Sequence, residues 1–262
     1  MSSQVGLIKL GGSIITNKDK PLTANHQIIT DLAKSISRIK RPLILVHGGG
    51  SFGHYWSVKF DMHTKPEKYS SKGISIVHSS MLDLNKIINE IFEKEGLYPY
   101  SVPPFSFLNN GKPSRLKIKE LEKMTEHNII PITYGDVVHM RENKYSILSG
   151  DVIMRLLSNI LNPYKAIFTI NVDGLYNNLI EKKIIQEIKP SSFNIKNKKI
   201  IMEQLGEIND VTGGMKRKVE EAIKIAQHGN DVIFLNGLHP SNLEKVFKGK
   251  KIKGTIFKAN KK

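Results

Sequence analysis

The sequence predicts an α/β protein in which helices cover both faces of a mainly parallel central sheet, a three-layer αβα sandwich. Short β-branched apolar runs alternate along the chain with longer segments whose apolar residues recur every three or four positions. This alternation is typical of parallel sheets, because a helix makes each crossover between strands. With 262 residues and a hydrophobic fraction of 39%, the chain can bury a large core.

Five runs have the length and the Val and Ile content of buried strands. They are VGLIKL at 5–10, PLILVH at 42–47, NIIPITYGD at 128–136, KAIFTINVD at 165–173 and DVIFLN at 231–236.

Helices are predicted over 25–41, 71–96, 151–162 and 215–228, the last two ending before Pro163 and at Gly229. The first two carry an apolar stripe, interpreted mainly as core packing. Its members are Ile28, Leu32, Ile36 and Ile39 in the first helix, and Ile74, Val77, Met81, Leu84, Ile88 and Ile91 in the second.

Neither a low-complexity linker nor an internal repeat divides the chain, so one domain over 1–262 is expected. Open α/β sheets bind ligands beyond the carboxyl ends of their strands. We therefore expect two functional lobes in this domain, one over approximately 1–162 and the other over 163–262.

The composition favours a cytoplasmic protein with no membrane segment. Cysteine is absent, which rules out disulfides and thiolate metal sites and fits a reducing compartment. The first residues, MSSQVGLIKLGGS, lack the pattern of a secretion signal. Apolar runs such as LILV at 43–46 are far shorter than the roughly 20 residues that cross a bilayer.

A formal net charge of +16 favours anionic partners: nucleic acid, an anionic lipid surface, or nucleotides and phosphate esters. The lysine-rich stretches at 196–199, 248–254 and 258–262 contain no aromatic residues on which single-stranded nucleic acid could stack. They are interpreted as solvated surface, so small phosphorylated molecules are expected as partners, with no nucleic acid.

Two glycine-rich segments directly follow predicted strands. In Lys9-Leu10-Gly11-Gly12-Ser13, the glycines let backbone N–H groups approach an anion, and Lys9 adds a positive charge. A glycine pair after a strand can also serve only as a turn. The octet HGGGSFGH at 47–54 is a stronger signal, because three consecutive glycines are costly in chain entropy and the helix they open favours a phosphate at its N-terminus.

A third glycine pair precedes the last predicted helix, in Thr212-Gly213-Gly214-Met215-Lys216-Arg217-Lys218, and indicates another anion site. The chain contains neither the Walker A pattern nor the dinucleotide fingerprint. Phosphate binding must therefore use a different architecture.

Three glycine-rich element ends with separate lysines resemble the amino-acid kinase fold, over almost the whole chain. Within that fold, the chain resembles the isopentenyl phosphate kinases. The resemblance rests on HGGGSFGH with its closing His54, Tyr134-Gly135-Asp136-Val137, Ser149-Gly150-Asp151, Asp173-Gly174-Leu175-Tyr176 and VTGGMKRK at 211–218, in that order. It implies ATP-dependent phosphorylation of isopentenyl phosphate to the diphosphate, a step of isoprenoid biosynthesis of the alternative mevalonate type.

The resemblance also implies the catalytic residues. Lys9 and Lys218 would hold the β- and γ-phosphates of ATP, and Lys18 would stabilise the transferring group. Asp151 would orient the lysines, since a carboxylate can fix two cations. His54 would donate to the acceptor phosphate; a lone histidine is more often structural, but the position at the end of a glycine loop favours the functional interpretation.

The remaining expected contacts follow the same resemblance. ATP would be bound by Lys9, Gly11, Gly12, Ser13, Gly50, Asp173, Gly174, Tyr176, Gly214 and Lys218. The acceptor would be bound by Gly49, Gly53, His54 and Gly150, with Ile74, Val77, Val137 and Ile147 around its hydrocarbon tail. No protein metal site is expected, so Mg²⁺ would be carried by the nucleotide phosphates. A homodimer is implied.

Two alternatives remain open. Another kinase of the same fold, such as a fosfomycin-type kinase, could also place a histidine at its acceptor. A basic nucleic-acid-binding protein would show steeply salt-dependent binding without ATP turnover.

Overall fold

The computed structural model describes residues 4–178, 183–190 and 214–260. Strands from all three ranges form a central sheet of eight strands. Its strand order is β12-β14-β13-β9-β1-β2-β6-β3, and only the β13–β14 pair is antiparallel. The strands of this sheet are β1 (Gly6–Leu10), β2 (Leu43–His47), β3 (Pro99–Val102), β6 (Ile130–Tyr134), β9 (Lys165–Ile170), β12 (Glu187–Ile188), β13 (Val232–Asn236) and β14 (Gly254–Phe257).

The five predicted strands become β1, β2, β6, β9 and β13, all with neighbours on both sides. Nearly all their residues are buried, as expected for parallel strands covered on both faces. The predicted fold class is confirmed. One prediction was wrong in detail: the run 128–136 is not a single strand, because β6 ends at Tyr134 and a separate antiparallel hairpin begins at Asp136.

Three short two-stranded ribbons complete the β-structure of the described residues. They pair β4 (Leu108–Asn109) with β5 (Lys112–Pro113), β7 (Asp136–His139) with β8 (Tyr145–Leu148), and β10 (Tyr176–Asn178) with β11 (Lys183–Ile184).

The predicted helices form close to their expected bounds, several with a side-chain cap. Asn25, Ser70 and Ser149 accept hydrogen bonds from backbone N–H groups three residues ahead. The helices are α1 (Gly12–Ile15), α2 (His26–Ser37), α3 (Gly50–Lys59), α4 (Ser71–Lys94), α5 (Arg115–Met124), α6 (Gly150–Leu161), α7 (Gly214–Gln227) and α8 (Ser241–Phe247). No helix in the described ranges is long and apolar enough to cross a bilayer.

The sheet separates two hydrophobic layers. Alternate residues of β1 point to opposite faces, so Leu7 joins the layer under α5, α6 and α7, whereas Ile8 joins the layer under α2 and α4. The apolar stripe of α4 enters this second layer from Met81 onward. Ile74 and Val77, at the start of the same helix, belong instead to a third, smaller cluster beside the β7–β8 hairpin.

Candidate active site

The loops that follow β1 and β2 pack backbone against backbone. A Cβ at Gly12 would lie 2.4 Å from Gly50 N, and one at Gly48 would lie 2.8 Å from Gly12 N. Gly50 also has a φ of +49°, a left-handed conformation that favours glycine. The loops therefore form one continuous backbone surface, which only glycines permit at these positions.

Thr16, which the sequence analysis did not single out, joins the two loops. Its hydroxyl donates to Gly12 O at 2.7 Å and accepts from Ser51 N at 2.9 Å, in the first turn of α3. As predicted, the triple glycine opens a helix. A second threonine, Thr169 at the end of β9, accepts from Gly11 N at 3.1 Å.

Behind these loops, the buried carboxylate of Asp151 lies close to three cationic side chains. Lys9 Nζ donates to Asp151 Oδ1, at the start of α6. Asp151 Oδ2 lies 3.8 Å from Lys218 Nζ and 3.9 Å from Arg217 Nε. Gly150 makes room for this arrangement, since its Cβ would lie 3.0 Å from Lys9 Cε. We call Lys9, Asp151, Arg217 and Lys218 the cation cluster.

Burial and charge shift the pKa values in this cluster. Burial is the main cause that lowers the pKa of Lys9 to about 8, against the opposing effect of Asp151. Burial by itself would raise the pKa of Asp151, but the neighbouring Lys9 and Lys218 hold that pKa below its ordinary value. At neutral pH, three cations therefore face one carboxylate, and the excess positive charge suits a phosphate group.

The start of α7 supplies half of the cation cluster. Lys218 Nζ also donates to Gly214 O at 3.1 Å, which holds the side chain back along the first turn. Arg155 of α6 anchors α7 through Glu221, with Nε 2.5 Å from Oε2. Thr212 and Gly213 of the predicted third glycine site lie outside the described residues. Arg217 was not predicted as a site residue, although it stands beside Lys218 in the KRK run.

The predicted residues after β9 lie at the same carboxyl edge of the sheet. Asp173 accepts from Asn236 Nδ2 at 2.9 Å and lies 2.6 Å from Lys253 Nζ. Hydrogen bonds from Lys253 and then Asn236 lower the pKa of Asp173. Gly174 fits closely against β14, since its Cβ would lie 2.8 Å from Thr255 Oγ1, and Tyr176 begins β10 two residues later.

The octet at 47–54 ends on α3, where α4 packs against its glycines. A Cβ at Gly49 or at Gly53 would lie 3.2 Å from Met81 Sδ. His54 follows Gly53 on the same helix and is exposed. The structure thus places His54 directly beside the glycine loop.

His47, the first residue of the octet, is instead a buried structural histidine. Burial lowers its pKa to about 4, so the ring is neutral at physiological pH. Its Nδ1 lies 3.1 Å from Gly48 O and its Nε2 lies 3.2 Å from Asn85 Nδ2, which fits a proton on Nδ1. The ring stacks on Tyr134 at a centroid distance of 5.1 Å.

Lys18 is exposed on the loop 17–23, outside the cation cluster. The base of that loop is closed by Asn17 N donating to Thr23 O at 2.9 Å, and Thr23 N donates to Ser51 Oγ at 3.3 Å. The loop that carries Lys18 is therefore tied to the N-terminus of α3.

The four predicted tail-pocket residues, Ile74, Val77, Val137 and Ile147, meet in the third cluster, from α4 and the β7–β8 hairpin. The cluster also contains five residues that were not predicted from the sequence: Trp56, Phe60, Met62, Tyr69 and Tyr145. Several of these come from or border the segment 61–70, which is bound to β8 by Glu67 N to Tyr145 O at 2.9 Å and Tyr145 N to Glu67 O at 2.8 Å. No local sequence pattern announces that pairing.

Within the described ranges, no group of three or more His, Asp and Glu side chains is placed to hold a metal ion. The charged groups of the site are mainly cations, which suit a ligand that brings its own negative charge.

The chain is similar to known proteins over most of its length. The model of the amino acid kinase family matches residues 5–236. An isopentenyl phosphate kinase of Thermoplasma acidophilum is 32% identical, covering 96% of this chain and 99% of that protein. One of Methanocaldococcus jannaschii is 30% identical, covering 95% and 96%. A crystal structure of an isopentenyl phosphate kinase substrate complex superimposes with a TM-score of 0.79 at 29% identity, covering 97% of this chain and all of that one.

Proposed function

This chain belongs to the amino acid kinase family and, within it, to the isopentenyl phosphate kinases, and from that premise we propose how its residues divide the work of the reaction. The enzyme phosphorylates isopentenyl phosphate. ATP supplies the γ-phosphoryl group, and the products are isopentenyl diphosphate and ADP, in isoprenoid biosynthesis of the alternative mevalonate type. We assign the enzyme to the cytoplasm, where ATP is available.

The assignment of roles rests mainly on the cation cluster, which lies behind the two closely packed glycine loops. Phosphoryl transfer between two anions needs positioning and charge neutralisation more than covalent chemistry. Lys9 and Lys218 neutralise the β- and γ-phosphates, and Asp151 fixes both ammonium groups. Arg217 adds a third cation at 3.9 Å from the same carboxylate. Lys18 reaches the transferring group from its loop.

The acceptor phosphate lies between the glycines of the octet and the start of α6. Gly49, Gly53 and Gly150 allow its close approach, and the His54 ring donates a hydrogen bond to it. Because a phosphate monoester is already largely ionised at neutral pH, its oxygen attacks without a general base. A positive charge on His54 offsets the repulsion that grows as the new bond forms.

The nucleotide occupies the opposite side of the two loops. The lobe before residue 163 contributes Gly11, Gly12, Ser13 and Gly50, and the lobe after it contributes Asp173, Gly174, Tyr176 and Gly214. Mg²⁺ travels on the ATP phosphates and supplies further charge neutralisation when bound. The excess of cations over carboxylates at the site fits that arrangement.

The acceptor tail enters the third cluster. Ile74, Val77, Val137 and Ile147 close its end, and the partly buried aromatic side chains around them limit the access of water. A short branched hydrocarbon suits this site because apolar side chains from α4 and the β7–β8 hairpin already fill the space that a longer chain would occupy.

An acceptor panel tests the function. We expect isopentenyl phosphate to have the highest kcat/KM among isopentenyl, dimethylallyl and geranyl phosphates, fosfomycin, UMP and N-acetylglutamate. Preference for fosfomycin would identify an antibiotic kinase of the same fold. Faster turnover of UMP or N-acetylglutamate would exclude the substrate proposed here, and salt-dependent nucleic-acid binding without any ATP turnover would exclude a kinase altogether.

Lys218→Ala tests the nucleotide side. Since Lys218 meets a phosphate in both the ground and the transition state, both the KM for ATP and kcat should deteriorate. Lys216→Ala is the matched control, because Lys216 is an exposed lysine of the same helical turn. If the two folded variants have equal kinetics, Lys218 does not contact the phosphates of ATP.

We also propose a homodimer formed at the β3 edge of the sheet. Tyr98, Tyr100 and Phe105 on and beside that edge strand are 67%, 54% and 74% exposed. Exposed aromatics on an unpaired edge favour association with a second copy. Light scattering should give a dimer for the wild type and a monomer for Tyr100→Lys, whereas a wild-type monomer would refute the interface.

A further inference from the structure

A histidine–aspartate pair joins the two elements that enclose the third cluster. His78 on α4 lies with Nδ1 2.7 Å from Asp136 Oδ2, at the start of β7. The Asp136 side chain is 4% exposed and that of His78 is 42% exposed. The second oxygen of Asp136 accepts from Val137 N at 2.7 Å. Both oxygens of this buried carboxylate are therefore engaged, one of them across the gap between α4 and the hairpin.

The pair lies between the phosphate glycines and the tail cluster. On α4, His78 directly follows Val77 of the third cluster and precedes by three residues Met81, which contacts the octet glycines. On the other side, Asp136 stands between Gly135 and Val137. Gly135 N donates to His47 O at 3.1 Å, so Asp136 is anchored to the end of β2. Moving either partner would displace residues of both subsites.

The two partners shift each other's pKa values in opposite directions, as expected when a hydrogen bond stabilises a protonated histidine and an ionised carboxylate. The hydrogen bond to Asp136 raises the pKa of His78. Burial raises the pKa of Asp136, and His78 opposes that rise. Without His78, the Asp136 carboxylate would keep a single backbone donor in a water-poor place, a costly state that the chain can relieve only by protonation or by opening the gap to water.

We propose that the His78–Asp136 pair is a positioning device that holds α4 against the β7–β8 hairpin and thereby sets the width of the acceptor-tail pocket. His78 acts through Asp136 and does not touch the reacting atoms. Its contribution is selectivity for a short tail, since the same contact fixes the separation of Val77 and Val137. This inference rests on the proposed function for its substrate, but the structural device itself can be tested without turnover.

The kinetic test compares His78→Leu with His78→Gln. Leucine removes the donor, so the KM for isopentenyl phosphate should rise about 10-fold, and the kcat/KM ratio of geranyl to isopentenyl phosphate should rise on the scale of 10-fold expected for one or two methylenes in an apolar pocket. The KM for ATP should not change. Glutamine keeps an N–H donor toward Asp136 and should restore most of the selectivity. His127→Asn, an exposed histidine outside the site, is the control.

A spectroscopic test needs no substrate. Trp56 is the only tryptophan of the chain and packs against the third cluster. If the pair holds the pocket closed, His78→Leu should shift the emission of Trp56 to the red and make it more accessible to acrylamide. His78→Gln and His127→Asn should both match the wild type.

The outcomes separate the two proposals. A wild type that does not phosphorylate isopentenyl phosphate would refute the proposed function, while the fluorescence of Trp56 would still decide whether the pair closes the pocket. An unchanged selectivity ratio and emission in His78→Leu would overturn the positioning role. Loss of selectivity in both variants would show that His78 acts through its charge and not through its hydrogen bond to Asp136. If activity falls equally with both substrates and the Tm is lower, the pair stabilises the fold and does not set the selectivity.

Discussion

Asp151→Asn removes the carboxylate that holds the cation cluster together, while changing the shape of the side chain very little. The lost attraction is large, because two unit charges 4 Å apart at the effective dielectric of about 20 interact by about 4 kcal/mol, and Asp151 Oδ2 lies 3.8 Å from Lys218 Nζ. Breaking one partner of a buried pair typically costs about 3–5 kcal/mol of stability. The variant should therefore melt at a clearly lower temperature than the wild type.

The change also alters the protonation of Lys9. In the wild type, burial lowers the pKa of Lys9 to about 8, and the attraction of Asp151 opposes that decrease. Without Asp151, burial and the cations Lys218 and Arg217 all act in the same direction, so the pKa of Lys9 must fall further. At neutral pH a larger fraction of Lys9 is then uncharged. Loss of a preorganised charge contact of this kind typically costs about 100- to 1000-fold in rate.

The pH dependence of kcat/KM for ATP provides the assay, because it reports the ionisation of the free enzyme. The wild type should lose activity as the pH rises through about 8, where Lys9 loses its proton. In Asp151→Asn, this loss should occur at lower pH, so that acidification restores part of the activity. Asp231→Asn is a matched control, since Asp231 lies 3.0 Å from Lys258 Nζ at the opposite end of β13. An alkaline limb at the same pH in Asp151→Asn and wild type would refute this reasoning.

Three other substitutions test the buried ion pair, the tail pocket and the packing of the glycine loops. The double replacement Lys9→Met with Asp151→Leu should abolish turnover but lower the Tm less than Asp151→Asn does, because it leaves no uncompensated charge at the fully buried position of Lys9; a Tm as low as that of Asp151→Asn would contradict this expectation. Val77→Ala should raise the geranyl to isopentenyl kcat/KM ratio by about 10- to 200-fold, whereas a lower Tm with an unchanged ratio would assign Val77 to the core alone. Gly12→Ala should weaken ATP binding in calorimetry, since its Cβ would lie 2.4 Å from Gly50 N and push the two loops apart, and unchanged affinity would contradict their fused arrangement.

The sequence predicted the central strands well because those strands are buried on both faces. Most of their residues are apolar, as in the LILV run of β2, so they stand out against the surrounding chain. The edge strands β3 and β12 were missed, since an edge strand mixes exposed and buried positions and carries little signal. The extra residues assigned to the third strand reflect the same limit: the hairpin that begins at Asp136 continues an apolar run but leaves the sheet.

Some residues of the candidate site could be predicted from local sequence, and others could not. Glycine loops after strands and their adjacent lysines are local features, so Lys9, Gly12, Gly50 and Lys218 could be read from short segments of sequence. Arg217 was overlooked beside Lys218, because the chain does not show which of two neighbouring cations faces a carboxylate.

The sequence by itself determined the fold class, the family and the glycine loops, because buried parallel strands and close backbone approaches restrict residue choice within a few consecutive positions. Tertiary structure decided which distant residues meet. Lys9 and Asp151 are 142 residues apart, and His78 and Asp136 are 58 apart. Ion pairs and hydrogen bonds across such separations leave no periodic trace in either segment, since each partner taken alone is only a charged or polar residue. They form only once the sheet has brought the ends of its strands to a common edge.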